Sequence, residues 1–171
     1  MIIRLLTSND IVAVMEIIDD AKKLLGKHSL QWQQGYPNED TMMNDIKSSS
    51  CYGLLNEDNY LIAIVSLVKG IDTNYLEIEG EWKNFPSKND LQIHRIAVRE
   101  GYHNQKLGDT LMKFAITKAK ELNCISIKVD THKVNYPMQH ICLSNGFVYR
   151  GIITLKRDEI DPTRLAYELT L

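Results

Sequence analysis

The chain has 171 residues, 44% hydrophobic and 25% charged, an ordinary globular balance that excludes disordered and fibrous classes and, at this length, supports burial of about 70% of the unfolded surface. A formal net charge of −2 supplies no basic field for collecting nucleic acid, so a small-molecule or peptide partner is expected. The three cysteines, Cys51, Cys124 and Cys142, stand singly in apolar runs without CxxC or metal-ligand spacing, which predicts buried thiols, no metal and a reducing compartment.

Met1 leads directly into the strand-like IIRLL, and the longest apolar run, Leu61 to Val68, is interrupted by Ser66. That run is too short to cross a bilayer, and no leader pattern precedes it. A cytoplasmic protein with no membrane partner is expected.

In chain order, a strand over Ile2–Leu6 ends in Thr7-Ser8-Asn9-Asp10, side chains suited to capping a helix. Apolar residues at Ile11, Val14, Met15, Ile18, Ala21 and Leu25 then recur at helical spacing, and Gly26 offers a left-handed stop. The connection Lys27 to Pro37 has no period but carries Trp32 and Tyr36. These aromatics either staple the loop to the core or line a substrate pocket.

A short helix over Glu39–Ser48, capped by Asn38, has a thin apolar face. Cys51–Asn56 and Tyr60–Lys69 read as a hairpin joined by Glu57-Asp58-Asn59. Tyr75–Trp82 reads as a strand that places Glu77, Glu79 and Glu81 on one face, either solvated or forming an acidic wall that draws in a cationic amine and takes its proton.

Leu91–Val98 is a largely buried strand. It feeds the polar loop Arg99–Lys106 and a helix over Leu107–Leu122 whose unpaired N–H groups and dipole suit a diphosphate. The loop has neither P-loop nor GxGxxG spacing, so nucleotide folds of those kinds are not supported. A strand CISIKVD follows, then NYPMQHICLSNGF as a short helix stopped by Gly146. A last strand, Arg164–Thr170, can pair within the sheet or across a homodimer.

This order of elements, with Ala97-Val98, His103-Asn104-Gln105-Lys106-Leu107-Gly108 and Asn135 through Phe147, resembles the GNAT N-acetyltransferases. The resemblance implies an α/β (α+β) fold in one domain spanning residues 1–171: a twisted, mixed, mostly antiparallel sheet of six or seven strands flanked by about four helices. It also implies acetyl-CoA as cosubstrate and a small-molecule or peptide amine as acceptor, attacked directly without a covalent enzyme intermediate. The implied cofactor contacts are Ile96, Ala97, Val98, the run His103, Asn104, Gln105, Lys106, Leu107, Gly108 and Asp109, and Asn135, which reads equally as a helix cap. His103 and Lys106 depart from the family's usual Gln or Arg and Gly.

Cys142 stands where many members carry a Tyr that protonates the departing thiolate, leaving Tyr136 or a water for that role. QWxxGYP, HRIAV and DTHxxN resemble a bacterial subgroup of unassigned substrate and place Trp32, Tyr36, His94, Asp130 and His132 around the acceptor. Glu79 and His94 are candidate bases. The rival reading is a non-catalytic GNAT-like sensor of coenzyme A or a metabolite.

Overall fold

The computed structural model describes residues 1–27, 31–157 and 159–171; the part of the anticipated Lys27–Pro37 connection at residues 28–30 lies outside them. Among the described residues, the elements run β1 (Ile2–Leu5), α1 (Ile11–Leu25), α2 (Glu39–Lys47), β2 (Cys51–Leu55), β3 (Leu61–Lys69), β4 (Glu79–Gly80), β5 (Asp90–Val98), α3 (Leu107–Glu121), β6 (Ser126–Thr131), α4 (Tyr136–Ser144), β7 (Val148–Thr154) and β8 (Thr163–Thr170). The eight strands form one sheet in the order β1-β2-β3-β5-β6-β8-β7-β4. All pairings are antiparallel except β5 with β6.

The sheet thus exceeds the six or seven strands expected. Val148–Thr154 has a mixed burial pattern and was not anticipated as a strand. It is a strand because β8 lies along it from Val148↔Glu168 to Thr154↔Thr163. The C-terminal strand is accordingly interior, between β6 and β7.

The expected strand Tyr75–Trp82 is corrected to a 3-10 turn at Thr73–Tyr75 and the two-residue β4. Asp72 caps the turn by accepting from the Asn74 amide at 2.8 Å, and the Trp82 indole donates to the Tyr75 carbonyl at 2.8 Å. Folding in these two buried aromatics outweighs period-two alternation. β4 meets β7 glycine to glycine: Gly80 pairs with Gly151, and a Cβ on Gly80 would lie 2.1 Å from the Arg150 carbonyl oxygen.

Helices cover both faces. α1 and α2 bury Val14, Ile17, Ile18, Met42 and Ile46 against Cys51, Leu55, Leu61, Ile64 and Ala97 of β2, β3 and β5, each larger aliphatic contributing about 1.5–3 kcal/mol by leaving water. α3 and α4 bury Leu107, Leu111, Met112, Ala115, Met138 and Cys142 against Val65, Leu91, Ile93, Ile127 and Val129. Gly26 ends α1 with φ −60°, so the stop is right-handed rather than left-handed.

Alternation along β5 and β6 puts a buried polar ladder on one sheet face. Asp90 accepts from Ser126 at 2.9 Å and from the Lys128 ammonium at 2.8 Å, with Glu168 3.6 Å from that ammonium. Asp90, Lys128 and Glu168 side chains are all fully buried. Glu168 also accepts from Arg150 and from the Lys83 and Asn84 amides. Every member of the group is thereby paired, as a low-dielectric site requires.

Candidate functional site

Two irregularities in β5 create the site. The strand is paired with β6 only from Asp90↔Ser126 to Ile93↔Val129, after which the two strands part. On its other side, Ile64↔Ala97 and Ser66↔His94 leave Val65 facing two residues of β5, a bulge at which Arg95 has φ 47°. A bulge re-aims a strand and frees backbone groups. The positive φ costs an arginine energy that its surroundings offset: Asp45 accepts from Arg95 Nε at 2.5 Å and from Nη2 at 2.9 Å, and Nη1 donates to the Tyr36 hydroxyl at 2.8 Å. Asp45 also accepts from Ser66 at 2.5 Å, so one buried carboxylate on α2 fixes the bulge from both strands.

The parting opens into a cavity of about 1030 Å³. One wall is the end of β5, with Ile96, Ala97 and Val98, and the loop that follows. That loop is anchored to α1: Arg99 donates to Glu16 and to the Leu61 carbonyl, and the Glu100 amide donates to Asp20. The loop delivers α3 with its first turn uncapped by any side chain and Lys106 in a left-handed conformation at its head. Leading N–H groups of such a helix are free to bind an anion.

His103, Asn104, Lys106, Leu107, Gly108 and Asp109 line the cavity. Gln105 is exposed and is not part of the lining. Gly108 also has a packing duty, since a Cβ there would meet Ile141 Cδ1 at 2.8 Å. Asp109 ties α3 to α4 by accepting from Asn145 Nδ2 at 2.7 Å. The opposite wall carries Asn135, which caps α4 by accepting from the Met138 amide at 3.3 Å and lines the cavity as well. Thr131 Oγ1, also on the lining, is buried and has no hydrogen-bond partner among the described residues, an orphan hydroxyl of the kind a bound ligand satisfies.

The rest of the cavity lining includes Trp32, Tyr36, Asp72, His94, Asp130 and Arg157. His94 Nε2 stands 3.4 Å from Asp72 Oδ2. Burial is the largest single influence on Asp72 and pushes its carboxyl up, but His94 and the Asn74 amide together hold it below the usual range. Asp130 accepts from the Tyr75 hydroxyl at 2.8 Å, and burial lifts its carboxyl above the usual range despite His94 nearby. Two carboxyls flanking one imidazole are therefore biased in opposite directions, a pattern common where protons are moved.

The structure does not bring the remaining candidates here. Glu79 is exposed on the edge strand β4, and Glu77 and Glu81 are exposed beside it, because the segment turns rather than alternates; no acidic wall faces the cavity. Tyr136 is 69% exposed at the outer start of α4 and does not line the cavity. His132 is buried away from it, bonded through Nε2 to Asp161 at 2.9 Å. Cys142 is fully buried in the α3–α4 core, its thiol pushed up to about 12 by burial and the charge of Asp130.

Asp45, Asp72, Arg95, Arg157 and Thr131 were missed. The four charged residues act through partners distant in the chain, as with Asp45 and Arg95, 50 residues apart, and Thr131 is marked only by its unpaired hydroxyl. The one local signal is Arg95 itself, a charged residue within the largely buried strand IHRIAV.

A search among proteins of curated function finds no match. Among solved structures, a GNAT-family acetyltransferase from Streptococcus agalactiae superposes with a TM-score of 0.88 at 28% identity, over 99% of this chain and 95% of the other. PaiA N-acetyltransferase from Thermoplasma acidophilum, solved in complex with coenzyme A, shares the fold at TM-score 0.70 and 16% identity, over 99% and 98% of the two chains. YncA from Salmonella typhimurium, solved with acetyl-CoA, does so at 0.71 and 16%, over 100% and 94%. The model of the acetyltransferase (GNAT) family matches residues 12–147, a span that contains the bulged and parted strands, the uncapped helix and the capping Asn135: this chain belongs to the GNAT family of acetyltransferases.

Proposed function

We propose that the chain is an N-acetyltransferase that moves acetyl from acetyl-CoA to a primary amine, acting in the cytoplasm as one domain. The observation that carries this reading is the parting of β5 from β6 beside an uncapped α3, which leaves strand and helix N–H groups facing one cavity. The N–H groups at the start of α3 and Lys106 would hold the diphosphate. Asn135, Thr131 and the free edge of β5 would hold the pantetheine arm, and an N–H within Ile96–Val98 would face the thioester oxygen. That donor stabilises the oxyanion formed on attack.

An alkylammonium has no lone pair, so the amine must lose a proton before or during attack. His94 lines the cavity and has Asp72 behind Nε2, which leaves Nδ1 to take that proton, directly or through a water. Holding amine and thioester together supplies much of the remaining acceleration. The coenzyme A thiolate is a stable leaving group, consistent with Cys142 and Tyr136 both lying off the cavity.

Isothermal calorimetry with coenzyme A and thiol release from acetyl-CoA over an amine panel test the reading. Binding in the micromolar range and turnover above spontaneous hydrolysis are expected, with His94→Gln lowering kcat by about 10²-fold. Binding without turnover on any amine would favour a sensor, and no binding with millimolar ligand would misplace the cofactor altogether.

A further inference from the structure

The polar ladder on β5 and β6 has a third rung. Register partners share a sheet face, and Gln92↔Lys128 is followed two residues on by His94 and Asp130, which therefore flank the point of parting. The lower rungs are closed by the contacts around Asp90 and Lys128 and by Gln92, which donates to the Gly70 carbonyl at 2.6 Å. The third is open. Asp130 uses one oxygen for Tyr75 and His94 one nitrogen for Asp72, and among the described residues Asp130 Oδ1 and His94 Nδ1 have no partner. Both residues line the cavity, so its inner end presents a carboxylate oxygen and a ring nitrogen to whatever enters, groups that suit an amine.

Two arginines of the lining have the opposite character. Arg157 and Arg164 share the carboxylate of Glu159, and the charge of Arg164 also acts on Asp130. Arg164 is spent, since it is buried and donates to the Asp161 and Thr163 carbonyls as well. Arg157 is less so: its side chain is 36% exposed, among the described residues only Glu159 engages its donors, and its guanidinium lies 3.8 Å from the centre of the Tyr36 ring. The Tyr36 hydroxyl accepts from Arg95, the neighbour of His94. Arg157 is thus held on a ring that is tied, through the Arg95 side chain, to the strand that bears His94.

Building on the reading as an amine N-acetyltransferase, we infer that the acceptor is an amine that also carries an acid group, its amino end between His94 and Asp130 and its oxyanion against Arg157. A guanidinium offers paired donors matched to a carboxylate or phosphonate. A polyamine would instead set a second cation against Arg157, a like-charge contact that selects against it. The preference for cationic acceptors that an acidic wall at Glu77–Glu81 would give has no basis once those residues face away.

Thiol release with matched acceptors tests this: amino carboxylic acids, the corresponding carboxamides, aminophosphonates of the same chain length, and polyamines. The carboxylate or phosphonate member should exceed its carboxamide in kcat/KM by at least about tenfold, mainly through KM, and the two acid arms separate a planar from a tetrahedral oxyanion. Arg157→Gln should collapse that ratio and Arg157→Lys restore part of it, both with unchanged circular dichroism. Carboxamides or polyamines preferred over acids, or a ratio unmoved by Arg157→Gln, would overturn the inference while leaving amine acetylation standing. No transfer to any amine, with coenzyme A still bound, would overturn both.

Discussion

Lys106 holds φ 57° and ψ 25°, a conformation that costs a residue with a Cβ about 1–2 kcal/mol. A glycine would relieve that cost, so its retention points to the ammonium. Lys106→Gly is expected to raise Tm by about 2–4 °C per kcal/mol recovered and to weaken coenzyme A binding by about two- to fivefold, the worth of an exposed ion pair. Affinity that is unchanged and insensitive to salt would place the ammonium outside the contact. Arg95 presents the reverse case: its positive φ is held by Asp45 and Tyr36, so its strain belongs to the bulge and not to a bound ligand. Of the three departures noted in the sequence, His103 and Lys106 line the cavity and Cys142 fills the core.

At the scale of elements, the junction of β1 and α1 shows how one capping residue joins two of them. Asp10 accepts from both Arg4 terminal nitrogens at 2.8 and 2.9 Å and from the Thr7 amide at 2.8 Å. Chiefly through Arg4, its carboxyl is held down to about 2. A carboxyl depressed in the folded state contributes stability that is whole above its unfolded pKa, about 3.9, and is lost as pH falls through the folded value. Asp161, lowered to about 2 by Thr163 and then His132, acts in the same sense. Thermal melts should therefore drop steeply from about pH 4 downward, and Asp10→Asn should be less stable at neutral pH with a shallower acid limb. An acid limb as steep in the variant as in the wild type would assign the effect elsewhere. The capping residues Asn38 and Asn135 were legible because a cap acts within one turn; both accept from the third amide onward.

Over the whole molecule, the closed ladder and the open cleft are successive parts of the same strand pair. Lys128, Asp90 and Glu168 lock the lower half of β5 and β6, so the strands can part above Ile93 and Val129 without the sheet coming apart. Occupation of the cleft should then order the free edge of β5. Hydrogen exchange is expected to slow on adding coenzyme A at those amides of Arg95–Val98 that do not face β3, and at Leu107–Asp109, with little change in β7 or β8. Protection spread evenly over the sheet would mean global stabilisation by mass action rather than filling of this gap.

The sequence by itself determined α1, α3, the β2–β3 hairpin and the buried strand at Leu91–Val98, because helical and strand periods and turn residues act over a few positions. It also marked the helix start at Leu107 and, through its order of elements, the family. Tertiary structure alone decided that Tyr75–Trp82 folds in on its aromatics, that β7 joins the sheet, and that Glu79, Tyr136 and His132 lie off the cavity while Asp72 and Arg157 lie on it. The reason is range. A carboxylate near an imidazole 22 residues away, as Asp72 is to His94, or a guanidinium stacked on a ring 121 residues distant, as Arg157 is on Tyr36, leaves no periodic trace in the chain, and only packing brings the charges together.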